Sequence, residues 1–264
     1  MGAMSSNLST IGFAFADEDS FQESMISCAR AANTGLACAA GAYRIWRSRA
    51  GAELWFHTGP ASDGETEILG LSPFFEGHSE VALNVTKAIK RPGDNAFEGA
   101  FYGWVSPDVN GQGSYPLVFD AVDYAARQDT VWPAVKRARL AGFARELKCF
   151  ASAQAYLADS DLRPEPRFSA TAFIPIGLFA AAEADHASQG KNQPAPSSNA
   201  LMTGRIAEHR LYTNEASNRE FHWFLIESLE ATFDLIADPQ IVKGDIVPGG
   251  TIETTCTMFG RFLD

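Results

Sequence analysis

Basic side chains are scarce in this chain. Lys and Arg number 21 against 32 Asp and Glu, for a formal net charge of −11. Phosphate attraction needs a basic surface, so this balance argues against a general binder of nucleic acid or of anionic membranes. Cysteine is equally sparse. Cys28, Cys38, Cys149 and Cys256 form no C-x-x-C and no regular framework. In a chain of this length such spacing fits free, buried thiols in a reducing cytoplasm. No Lys or Arg precedes Arg30, so the apolar stretch Ile11–Ala16 lacks the basic flank of a secretory signal. It is also far too short to span a bilayer. The expected setting is therefore soluble and cytoplasmic, with no membrane partner. Met1-Gly2-Ala3 ahead of Met4 reads as the remnant of a cleaved tag.

Local catalytic signatures are missing as well. The sequence has no G-x-x-x-x-G-K-[ST] loop and no G-x-G-x-x-G after a strand, which removes the common nucleotide-binding fingerprints. It has no G-x-S-x-G elbow, no H-E-x-x-H and no kinase loop. Asp108-Val109-Asn110-Gly111-Gln112-Gly113 resembles the start of a calcium loop. However, Phe119 stands where the twelfth-position acid belongs, so a turn is expected there. No cofactor is implied.

What the chain does have is folding material. Its 264 residues are 46% hydrophobic and 11% aromatic, with 22 Gly and 13 Pro. That composition rules out wholesale disorder and suits one large or two small domains. The acidic excess lies early: residues 1–132 hold 8 basic and 16 acidic side chains, and residues 133–264 hold 13 and 16.

The hydrophobic periods predict a strand over 11–16 and then a helix over 17–33, where Phe21, Met25, Cys28 and Ala32 recur at helical intervals. A hairpin is expected over 42–58, turning near Arg49-Ala50-Gly51. Further strands are expected over 81–89, 99–105 and 115–119. Residues 135–159 carry both periods. Helix is favoured for the later half, and the first ten residues stay open between helix and strand. Residues 183–200 are poor in apolar side chains and read as a linker. Four strands follow it, over 201–213, 221–229, 232–237 and 251–263. The expected organisation is an α+β part (1–182), the linker, and a β-rich C-terminal part (201–264) packed on the first or separate from it. The fold class is α+β, predominantly antiparallel sheet with a few helices, the C-terminal part forming a small sheet or a partly closed barrel.

Two constellations are candidates for function. An even-numbered hairpin loop would place Tyr43, Ile45, Leu54 and Phe56 on one face, and Arg44, Trp46, Glu53, Trp55 and His57 on the other. Trp and Arg concentrate binding energy at interfaces, so the second face is the expected partner-binding surface. Alternatively, His209 and His222 approach each other across the C-terminal hairpin. Asp234 and Asp238 would then complete a metal or acid–base cluster, since imidazole with carboxylate suits Zn, Mn or Fe. The first constellation points to a non-enzymatic binding protein, of the inhibitor or immunity type, whose partner is a basic protein. The second points to a metal-assisted or acid–base hydrolase built from sequence-distant residues.

Overall fold

The computed structural model describes residues 6–61, 66–159, 168–178 and 195–263. It is α+β and mainly antiparallel sheet, as the strand spacing predicts. The expected linker falls largely on 179–194, outside the described residues. Among the described residues no helix is long and apolar enough to cross a membrane.

The first helix, α1 (Glu18–Ala31), starts where the sequence places it. Asp17 caps it by accepting the Ser20 N–H at 2.8 Å, and Glu18 and Asp19 complement the dipole in its first turn. The segment ahead of it is not the expected strand. It is a short 3-10 turn (Ser9–Ile11) that ends at Gly12, whose φ of +83° turns the chain. A Cβ at Gly12 would lie 2.9 Å from the Asn214 Cβ. Asn214 and Ser217 donate to the Ile11 and Gly12 carbonyls, so these two positions are satisfied by a distant hairpin and not by a neighbouring strand.

A four-stranded antiparallel sheet follows, β1 (Asn33–Cys38), β2 (Gly41–Arg47), β3 (Ala52–Pro60) and β4 (Thr66–Phe75), in sequence order. The larger sheet collects β5 (Val81–Ile89), β6 (Ala100–Val105), β7 (Pro116–Ala121), β8 (Ala134–Phe150), β9 (Ala172–Ile174), β10 (Asn199–Asn214), β11 (Arg219–Ser228), β12 (Ala231–Ala237), β13 (Val242–Lys243) and β14 (Thr251–Phe262). Two long strands, β8 and β14, pair antiparallel from Thr251↔Phe150 to Phe262↔Ala138. This ladder is shared by two closed rings. One runs through β5, β6 and β7, and the other through β10, β11 and β12. Strands from before residue 183 and after residue 200 therefore lie in one sheet.

Residues 135–159 correct the helical expectation. They form strand to Phe150, and only α2 (Ala153–Ala158), capped by Ser152, is helical. Arg145 sits in a bulge between Ala144↔Cys256 and Glu146↔Thr255. The extra residue resets the alternation, so Leu140, Ala144 and Leu147 face one core while Ala141 and Phe143 face the other. A strand covered on both sides with one bulge mimics a helical period.

The first of those cores fills the rings, with Phe101, Phe119, Phe224, Phe233 and Met258 among its buried residues. The second lies outside them, joining the four-stranded sheet to Phe143, Phe221, Trp223, Ile236 and Phe259.

Candidate functional site

The expected hairpin face is not assembled. Arg47↔Glu53, Ile45↔Trp55 and Tyr43↔His57 are opposite pairs, which leaves residues 48–52 as an odd-numbered loop. The Ser48 hydroxyl accepts the Ala50 and Ala52 N–H groups and stabilises that wide loop. Glu53, Trp55 and His57 therefore share a face with Tyr43 and Ile45. Arg44 and Trp46 lie on the opposite face with Leu54 and Phe56.

Both faces are covered. Tyr43 and His57 meet Phe97 at 5.3 and 5.0 Å between ring centroids, and Trp46 meets Phe13 edge-on at 5.5 Å. Arg44 donates to the Ala32 carbonyl at 2.9 Å. Glu53 is fully buried, held by Arg47 at 2.5 Å and by the Trp55 indole N–H at 2.7 Å. Burial raises its carboxyl above the usual range, against the pull of Trp55 and Arg47. These five residues are therefore structural neighbours, not one exposed surface.

The C-terminal histidines do meet, with His209 Nε2 and His222 Nδ1 2.9 Å apart. The carboxylates expected beside them are elsewhere. Asp234 pairs with Leu225, whereas His222 pairs with Ala237, and this parity puts Asp234 on the other face of the sheet. There it accepts the His78 N–H at 3.0 Å, the Ser79 N–H at 2.8 Å and the Trp223 indole at 2.7 Å. Asp238 caps the turn Pro239–Ile241. Among the described residues no three His, Cys, Asp or Glu side chains converge on a metal position. Asp108 accepts the Asn110 and Gln112 N–H groups, the turn the sequence suggests.

A different site emerges where β4, the β5–β6 turn and β7 come together. A cavity of about 190 Å³ is lined by Ser72, Arg91, Asp94, Glu98, Asp120 and Asn7, among others. The turn fixes two of its acids. Asp94 accepts the Arg91 N–H at 2.7 Å and Glu98 accepts the Asn95 N–H at 3.0 Å. Arg91 Nη1 pairs with Asp120 at 2.6 Å and its Nε donates to the Pro196 carbonyl at 3.0 Å. Its Nη2 is buried without a hydrogen-bond partner among the described residues. Burial raises the Asp120 carboxyl despite the Arg91 guanidinium and the Ser198 hydroxyl. One cation against three carboxylates leaves the lining with an excess of two negative charges.

Ser72, on the wall of this cavity, approaches the buried His57 Nε2 to 3.2 Å. The Asn95 Oδ1 accepts the Phe97 N–H at 2.8 Å, which turns the Asn95 amide nitrogen toward His57 Nδ1 at 3.5 Å. Nδ1 is then the acceptor and the ring proton sits on Nε2, pointing at Ser72 Oγ. His57 donates to the serine and does not take its proton, the reverse of nucleophile activation. Its burial, which also lowers its pKa to about 4, keeps the ring neutral.

Arg91 and Asp94 lie just beyond the strand expected over 81–89 and Asp120 just beyond that over 115–119, and no motif singles them out. One signal was available: Asp120 closes the apolar run Leu117-Val118-Phe119, and an acid at the edge of a core is stabilised by a nearby cation. No protein-family model, curated protein or solved structure matches the chain.

Proposed function

We propose that this chain is a non-enzymatic binding protein that receives a cationic side chain of a basic protein partner in the Arg91–Asp120 cavity. The observation that carries this reading is the incomplete pairing there. Arg91 is the one cation among the described lining residues, against the carboxylates of Asp94, Glu98 and Asp120. A lysine or arginine in a peptide supplies the missing positive charge, since its head group donates to the carboxylates. At ~30 Å³ per molecule the cavity holds about six waters, comparable to one long side chain and smaller than a drug-sized pocket. The overall charge of −11 would add steering toward a basic surface.

The test is binding of a lysine-rich model peptide, with the same peptide acetylated at every lysine as control. The parent protein is expected to bind the cationic peptide at low salt and to lose roughly tenfold in affinity at high salt. The double variant Asp94→Asn/Glu98→Gln, which keeps the shape of the turn, is expected to bind roughly tenfold more weakly at low salt. Equal affinity of parent and variant would assign the attraction to diffuse surface charge and overturn the cavity as the site. Failure of the parent to prefer the unmodified peptide would overturn the reading entirely.

A further inference from the structure

The geometry points to a second, separate site: His209 and His222 form a two-imidazole site for a Cu2+ or Ni2+ ion. The two residues lie on neighbouring strands, where His209 faces Phe224 and His222 faces Leu211 across the ladder. They are thus diagonal neighbours on one face of the sheet. Phe224 lies beside both rings, with centroids 4.7 Å from His209 and 5.8 Å from His222, so the imidazoles are held by an aromatic floor.

Imidazole ligation and the Irving–Williams order put Cu2+ and Ni2+ ahead of the lighter divalent ions at such a pair. Two nitrogens bound at about 2.0–2.1 Å and subtending a right angle lie about 2.9 Å apart, whereas tetrahedral ligation sets them about 3.3–3.4 Å apart. The observed spacing is 2.9 Å. This is the length of the N–H···N hydrogen bond that joins the rings, and a Cu2+ or Ni2+ ion held at adjacent square-planar or octahedral positions keeps the same spacing.

Proton accounting is simple. In the metal-free pair one of the two facing nitrogens carries the shared proton. The outer nitrogens, His209 Nδ1 and His222 Nε2, have no hydrogen-bond partner among the described residues. Binding requires one ring to change tautomer and present its bare nitrogen, so two neutral imidazoles ligate without releasing a proton. Because no third protein ligand converges there among the described residues, water completes the coordination sphere. This site shares no residue with the cavity, so either can fail without the other.

The test is titration of the whole chain with CuCl2, followed by calorimetry and by electron paramagnetic resonance, and then with NiCl2, which does not oxidise thiols. The expected result is one ion per chain, with coupling to two imidazole nitrogens. Either His209→Gln or His222→Gln is expected to weaken binding at least tenfold, while His78→Gln and Asp94→Asn/Glu98→Gln leave it unchanged. Circular dichroism of each variant separates loss of the ligand from loss of the fold. Affinity within twofold of the parent in a folded His209→Gln or His222→Gln chain would overturn the site, as would a spectrum with fewer than two coupled imidazoles.

Discussion

Asp234→Ala is expected to lower the stability of this protein by about 3–5 kcal/mol, read as a fall in the urea midpoint. Asp234 is buried and accepts three hydrogen bonds, from the backbone of His78 and Ser79 and from the Trp223 indole. Alanine leaves all three donors without an acceptor in a place that water does not reach. A hole also opens under Gly77, whose absent Cβ would lie 2.1 Å from the Asp234 carboxyl carbon. The loop loses its anchor to β12, and Trp223 loses the bond that orients it beside Phe75. Asp234→Asn should fall between the parent and alanine. One amide oxygen still accepts from Trp223 and His78, but the amide nitrogen then meets the Ser79 N–H, donor against donor. The Trp223 fluorescence reports the same event locally. A loss below about 1 kcal/mol for alanine would mean that water replaces the carboxylate, and that the loop is not held as described.

The parts of the fold legible from sequence are those with one wet face or with unambiguous turns. The strand 81–89 is found with its limits, because polar and apolar side chains alternate and Arg91-Pro92-Gly93 stops it. The C-terminal strands are found to within two residues because turn residues bound them, such as Asn214 to Arg219 and Pro248-Gly249-Gly250, although β12 and β14 are largely buried on both faces. Which side faces what is not legible where both faces are buried. Ala52 to Gly59 is buried at every position, so alternation carries no information about which side faces what. The hairpin register was then decided by a loop whose stabilising bonds, from Ser48, do not announce themselves in the sequence. The candidate site divides along the same line. Cross-strand proximity of His209 and His222 follows from one local hairpin and is readable. The cavity is walled by β4, the 91–99 turn and β7, which come together only where the four-stranded sheet packs on the larger one. No local pattern encodes that.

Acidification should destabilise the protein through His57, and the His57→Gln variant should lose that component. The ring is wholly buried, between Tyr43 and Phe97, with only Ser72 and the Asn95 amide as polar neighbours. Desolvation alone lowers its pKa to about 4 in the folded chain, against about 6.5 when unfolded. Between those values the unfolded chain takes up a proton that the folded chain refuses. Unfolding is therefore favoured progressively as pH falls from about 6.5 to about 4, and the full contribution is present only above 6.5. The size is set by the shift, at about 1.4 kcal/mol per pKa unit, so the loss approaches about 3 kcal/mol at the acid end. His209 and His222, also held below the ordinary histidine range by burial, act in the same direction. The diagnostic quantity is therefore the difference between parent and variant. Urea midpoints at pH 7 and pH 4.5 should converge if His57→Gln removes a titrating group, because glutamine offers Ser72 a similar donor but takes up no proton. A pH slope that is identical in parent and variant would show that His57 is protonated in the folded chain. The ring would then donate from both nitrogens, and the orientation assigned to the Asn95 amide would have to be reversed.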